Sequence, residues 1–353
     1  MVEKQQHYVL HTLLLLLVAL MIAMCSSSTS STDPTSDLAP IGAVPGQQSD
    51  NAPQEVDGEQ LPGRLLFAQA GDLWVWQETT GRQLTEQGNL AHPTWSPDGT
   101  SIAAIQREQS FSNLVLLSAD GSELLQLTNH GSNYGLGSFE RIYDTLWAFY
   151  PTFSPDGTEI AFASQYGPPF GSPASDYNLS LFVTPATVGS TRTQLYAPEA
   201  GHIGRIAYAQ DGTVVFAYSS LFEEPPALFQ YVTETGATER VAGVPEQSYD
   251  PVFSADGNWL AFTTRTNNGT DISVIPATGG APIQITTLGI TRAPAFAPDN
   301  SALAFLAIAP GSTHFDLWIV DLTIEGGNLS AGEARQLTTE MAIDPDSGLS
   351  WGR

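Results

Sequence analysis

Four polar residues of different chemistry stand at one recurring place in this chain. His92, Tyr150, Arg205 and Asp250 each lie three positions ahead of an aromatic residue: Trp95, Phe153, Tyr208 and Phe253. Ala293 and Gly348 hold the same place ahead of Phe296 and Trp351, and Arg292 lies one step outside. An imidazole, a phenol, a guanidinium and a carboxylate converging on one point would hold a carboxylate, a peptide terminus or a sugar. The same set also suits a hydrated pore lined by ordinary polar groups. Four histidines (His92, His130, His202 and His314) fall on strand starts or loops of different repeats. Their irregular spacing fits no metal-ligand motif, so no metal and no cofactor are expected.

The elements that position these residues are repeats. Pro93-Thr94-Trp95-Ser96-Pro97-Asp98-Gly99 returns as Pro151 to Gly157 and as Pro251 to Gly257, each time followed by a short apolar run. Looser copies surround Tyr208 to Gly212 and Phe296 to Asn300, and Leu349-Ser350-Trp351 closes the chain. Proline presets the turn, aspartate suits its third position and glycine accepts the left-handed conformation, so the motif is structural. Turn geometry accounts for Asp98, Asp156, Asp211, Asp256 and Asp299 without a bound metal. The aromatic anchors are separated by 58, 55, 45, 43 and 55 residues. Between them run short β-rich segments punctuated by turn signals, four to a unit. The first unit has three: Leu65 to Ala68, Leu73 to Trp76 and Gln83 to Thr85. If it borrows Leu349 to Trp351 from the C-terminus, the ring closes and no sheet edge is left open. The expected fold is all-β: a six-bladed β-propeller over residues 63–353, with four-stranded blades.

The Ser-Pro-Asp-Gly turn, the Ile-Ala-Phe strand after it and the closing Leu-Thr pairs (Leu84-Thr85, Leu127-Thr128, Leu337-Thr338) resemble the repeats of the TolB-type propeller family. The resemblance covers roughly residues 64–353. It implies a non-enzymatic scaffold that binds an envelope protein or peptide, with a funnel at the mouth of its central channel.

Strand order places the turns after first and third strands on one face, where connections are short apart from Thr323 to Gly332. Most long connections lie on the opposite face. Residues 129–150 carry Tyr134, Phe139, Tyr143, Trp147, Phe149 and Tyr150; residues 165–177 carry Tyr166, Phe170 and Tyr177; Phe222 follows in a third loop. Aromatics on loops held by a rigid scaffold suit recognition, and they also suit a hydrophobic cap over their own blades.

At the N-terminus, Lys4 and the unbroken apolar run Leu13 to Met24 read as an export signal in residues 1–25, too short to span a bilayer comfortably. Ile22-Ala23-Met24-Cys25 resembles the bacterial lipobox, which would make Cys25, the only cysteine, a lipidation site. Residues 26–62, rich in Ser, Thr, Pro and Asp, read as a flexible tether. The expected location is the cell envelope, outside the cytoplasm, with the lipid as the only membrane attachment.

The formal net charge is −25, and Lys4 is the only lysine. That balance excludes a nucleic-acid partner, which requires a basic footprint. There is no lysine-bearing phosphate loop and no chain beyond Arg353 for a hydrolase domain, so catalysis is not expected. The rival readings are a metal-assisted carbohydrate lyase or hydrolase at the pore, as in some lyases with related propellers, and a sugar-binding protein using the aromatic loops.

Overall fold

The computed structural model describes residues 60–167, 178–199, 201–220 and 224–353. The proposed signal, most of the tether, Cys25, Phe170, Tyr177 and Phe222 lie outside them. Six antiparallel sheets follow one another around a ring, as the repeat spacing predicts. We number the blades I to VI. Blades II to VI begin with inner strands Leu90–Trp95, Ala148–Phe153, Gly201–Tyr208, Ser248–Phe253 and Thr291–Phe296. Blade I takes its inner strand from the C-terminus: Ser350–Gly352 pairs antiparallel with Leu61–Gln69, setting Leu65 opposite Trp351. In blade VI the long connection is a β-ribbon, formed where Phe315–Glu325 runs past the sheet and pairs with Asn328–Ala331.

The Ser-Pro-Asp-Gly repeat folds because its serine and aspartate serve each other. In blade II, Ser96 Oγ donates to Asp98 Oδ1 at 2.7 Å and accepts from the Ser101 amide at 2.9 Å. Asp98 Oδ1 also accepts from the Thr100 amide at 3.0 Å. Ser154 with Asp156 and Ser254 with Asp256 repeat the arrangement. The same device closes the next turn of blade II at Ser118 and Asp120. These hydrogen bonds hold the Asp98 and Asp156 carboxyls below the usual range and show what the repeated aspartates do. Gly99 has φ +70°, the left-handed conformation the turn requires.

The closing Leu-Thr pair is a second device. Thr85, Thr128, Thr286 and Thr338 each accept, through Oγ1, the amide of Leu73, Leu114, Ile272 or Leu317. Their hydroxyls point to the preceding side chain, Asp72, Asn113, Asp271 or Asp316. That side chain also takes an amide from the outgoing loop, at Gly88, His130, Gly289 or Met341. Each clip satisfies backbone donors where a blade hands the chain to the next one. None is seen in blades III and IV among the described residues.

The apolar core is divided into six wedges, one between each pair of neighbouring blades. Trp95 shows why the motif carries an aromatic. It is buried between blades I and II, its Nε1 donates to the Arg64 carbonyl at 3.1 Å, and the Arg64 guanidinium lies 4.1 Å above its ring. Arg64 in turn donates to the carbonyls of Arg353 and Gly99, which ties the closing strand to both blades.

Candidate functional site

The recurring position ahead of each aromatic is a bulge. Register shifts by one residue in all five inner strands of blades II to VI, a step of three residues standing against a step of two. His92, Tyr150, Asp250 and Ala293 adopt φ between +51° and +54°, and each is followed by a proline. Proline has no amide to leave unpaired in the interrupted ladder. A non-glycine residue held left-handed costs roughly 1–3 kcal/mol, and four copies of it mark a conformation the surrounding sheet imposes. Blade IV departs from this pattern, with Arg205 between Gly204 and Ile206 and no left-handed residue there.

The bulges gather the predicted ring at one end of the central channel. Tyr150 stacks on His92 with ring centroids 4.5 Å apart, and its backbone amide donates to His92 Nδ1 at 3.1 Å. His92 Nε2 lies 2.8 Å from Arg107 Nη2, so both imidazole nitrogens face donors. Burial, followed by the charges of Arg107 and Arg205, pushes its pKa well below the ordinary histidine value. Burial likewise raises the Tyr150 phenol.

Asp250, only 3% exposed, joins the two arginines. Arg205 Nε reaches Oδ1 and Arg292 Nε reaches Oδ2, both at 3.2 Å, and Oδ2 also accepts from the Ala293 amide at 3.2 Å. Burial alone would raise the Asp250 carboxyl; Arg292 and Arg205 more than offset it and hold it below the usual range. The sequence showed these three residues but not their further partners. Arg205 crosses from blade IV to the strand that closes blade I, on the opposite side of the ring. It donates to the carbonyls of Asp346 at 2.7 Å and Ser347 at 3.2 Å. Gly348 fits beneath it because a Cβ there would collide with the guanidinium. Arg292 donates through Nη1 to the Asp346 carboxylate at 2.7 Å. Residues 344–347, which belong to no repeat, therefore lie at the channel mouth.

Below this network the channel encloses a cavity of about 260 Å³. His92, Tyr150 and Arg205 contribute to one end, and Pro97, Pro155, Gln210 and Ala255, on the face of the Ser-Pro-Asp-Gly turns, contribute to the other.

The predicted loop aromatics divide. Trp147 and Phe149 stack at 6.2 Å and, with Leu179 and His202, line an apolar hollow of about 420 Å³ between blades III and IV. His202 Nδ1 is buried there without a hydrogen-bond partner. Tyr143 is half-buried against Phe139. Tyr134, Leu136, Phe139 and Tyr166 are between 50% and 75% exposed. Some of the loop aromatics thus pack against the blades and others face outward. His92 and His130 both belong to blade II, where the spacing suggested four separate repeats; His130 is buried, with Nδ1 2.8 Å from the Ser112 carbonyl. Among the described residues no three metal-ligating side chains come together.

In shape the chain is similar to TolB from Acinetobacter baumannii, with a TM-score of 0.58 and 16% identity over 82% of this chain and 66% of that one. The fold is that of the TolB-type propellers. The putative TolB from Agrobacterium tumefaciens gives a TM-score of 0.51 at 15% identity, over 82% of this chain and 96% of that one. In sequence, an uncharacterized peptidase of Bacillus subtilis (strain 168), YuxL, is 25% identical over 208 residues. That match takes in 57% of this chain but 26% of the peptidase, so the chain spans about a quarter of its relative's length. No family model matches the sequence. Among the described residues, no helix of this propeller is long and apolar enough to cross a membrane.

Proposed function

We propose that this TolB-type propeller is a non-enzymatic binding scaffold of the cell envelope, which captures a protein or peptide on its long-loop face. The observation that carries the reading is the exposed apolar surface of the connection between blades II and III and of Tyr166, just beyond a blade III strand. Tyr134, Leu136, Phe139, Ile142 and Tyr166 stand exposed near a hollow lined by Trp147, Phe149, Leu179 and His202. Large aromatics exposed on a monomer at one place suit the buried centre of an interface. The proposed surface extends to Phe170 and Phe222, which lie outside the described residues, with the channel-mouth ring of His92, Tyr150, Arg205, Asp250 and Arg292 as a second contact apart from the aromatics.

Export through residues 1–25, lipidation at Cys25 and a tether over residues 26–62 complete the proposal. They would hold the propeller outside the cytoplasm, attached to the membrane by lipid alone. The test is capture from envelope extract by the immobilised domain. Phe139→Ser combined with Tyr166→Ser should reduce the retained partner at least tenfold, by analogy with aromatic anchors at interfaces. Undiminished capture by a folded double variant would overturn the proposed surface. For the anchor, labelled palmitate should enter the wild-type protein and not Cys25→Ala.

A second reading draws on the peptidase relative: the propeller would serve hydrolysis, as the metal-assisted lyase reading also supposes for carbohydrate. Purified chain given peptidyl p-nitroanilides or oligouronides, with and without divalent metal, should release nothing above the blank. Release in either assay would replace the scaffold reading.

A further inference from the structure

The guanidinium pair at the channel mouth is built like a carboxylate receptor, yet the chain's own turn fills it. Two arginines face two carboxylates, and the two carboxylates are unlike. The Asp250 side chain is 4% exposed and fixed by the Ala293 amide, the Thr263 hydroxyl and both guanidiniums. The Asp346 side chain is 68% exposed and is joined to Arg292 alone. Removing Asp346 would leave two guanidiniums against one carboxylate, with a net positive charge and the Nη1 of Arg292 without its acceptor. Both guanidiniums are also held in orientation from below: that of Arg205 lies 5.5 Å from the Tyr150 ring, and that of Arg292 lies 5.3 Å from the Tyr249 ring.

The segment that carries Asp346 is anchored at its base and strained along its length. Met341 and Ile343 are buried in the wedge between blades VI and I, and Gln69 donates to the Met341 carbonyl. Glu340, Ala342 and Gly348 have φ of +58°, +52° and +77°. Asp344 bonds within the turn to the Ser347 hydroxyl and the Asp346 amide, and lies 4.0 Å from Arg107. Within the turn Asp346 is exposed while Ser347 and Gly348 are buried, so the Asp346 carboxylate can swing away from Arg292 without unpacking the wedge.

We propose that Arg205 and Arg292 form a carboxylate-binding site which Asp346 occupies as an internal stand-in, and that a carboxylate ligand enters by displacing it. The ligand's carboxylate takes the Nη1 donor of Arg292, while Arg205, whose Nη1 and Nη2 stay on the Ser347 and Asp346 carbonyls, contributes its charge, restoring the two-to-two balance. Self-occupancy weakens the apparent affinity by the fraction of time the site is open, so deleting the stand-in tightens binding. A peptide C-terminus and a uronate present the same group. This site is separate from the aromatic surface of the scaffold reading, and either can fail without the other.

The test uses the full chain, with Asp346→Ala and Asp346→Asn, titrated calorimetrically with trialanine, trialanine amide and glucuronate. Removing a competing charged partner should tighten trialanine or glucuronate binding roughly tenfold in Asp346→Ala, with the amide unchanged. Which of the two carboxylates gains identifies the source. Arg292→Gln added to Asp346→Ala should abolish the gain. If folded Asp346→Ala binds trialanine, its amide and glucuronate no better than the wild type, the site is a structural staple and the proposal fails. Should Asp346→Ala not fold, Asp346→Asn, which keeps the side-chain shape, is judged by the same criteria.

Discussion

Replacing Asp250 by asparagine removes the negative charge and one of the two acceptor oxygens that Arg205 and Arg292 share, while leaving both guanidiniums in place. Breaking one side of a buried, hydrogen-bonded charge group costs about 3 kcal/mol or more, because the remaining charges lose their compensation. Urea unfolding of Asp250→Asn should show a loss of that order; a loss under about 1 kcal/mol would mean that solvent or Asp346 takes over the role. The two buried histidines give a second residue-level outcome. Burial lowers the His130 pKa to about 4 from an ordinary 6.5, with Arg192 acting in the same sense, and His92 is pushed well below 6.5. The unfolded chain therefore binds more protons than the native one below pH 6.5, and stability must fall as pH falls. The loss contributed by His130 runs from about pH 6.5 to about pH 4, whereas His130→Gln should flatten that limb when unfolding free energy is followed against pH. Spacing alone revealed the ring residues, since each bulge keeps its distance from the aromatic anchor. Spacing could not reveal what Arg205 holds, because Asp346 lies 141 residues away in a stretch that repeats nothing.

Among the elements, the Leu-Thr clip makes the sharper prediction. In Thr286→Val the Ile272 amide loses its acceptor and Asp271 loses one donor, both in a buried place. An unsatisfied buried donor costs roughly 1–3 kcal/mol, and the change should appear as a lower urea midpoint at unchanged slope. The equivalent change in blades III and IV has no counterpart, since Leu195 and Val241 are followed by Tyr196 and Ala242 where the other blades have threonine. Here the sequence was half legible. The threonines recur visibly beside leucine, but their acidic or amide partners precede them by 13, 15, 15 and 22 residues, and such a variable interval hides the pairing. The same clip moved a strand boundary. The fourth strand of blade I, expected at Gln83 to Thr85, is Thr80–Gln83, because Thr85 turns its hydroxyl back toward Leu73 instead of continuing the ladder. The candidate surface was legible by composition only. Sequence places Trp147 and Phe139 in one loop, but which aromatic turns inward depends on the neighbouring blade each meets.

At the scale of the molecule, stability is shared among six wedges, each needing both of its blades, so the ring is only as secure as its closure. Three residues, Ser350–Gly352, make the closing strand. Ser350 Oγ accepts from the Trp95 amide at 3.0 Å, Trp351 Nε1 donates to the Pro62 carbonyl at 2.6 Å, and Gly352 lies against the face of Trp95, where a Cβ would come within 2.8 Å. Removing residues 350–353 would therefore uncover Leu61–Gln69 as an edge, take the cover from Trp95 and release the Arg64 side chain from Arg353. At roughly 2–4 °C per kcal/mol for a domain of this size, the loss of these contacts should lower the melting temperature by about 10 °C or more. The truncated chain should also show concentration-dependent association through the opened edge, detectable by light scattering. A peptide spanning residues 344–353, added in excess, should restore the melting temperature by pairing in trans, since binding to the native form alone stabilises it by mass action. A truncated chain that melts within a few degrees of the intact one, and gains nothing from the peptide, would show that the wedges hold the ring without the borrowed strand.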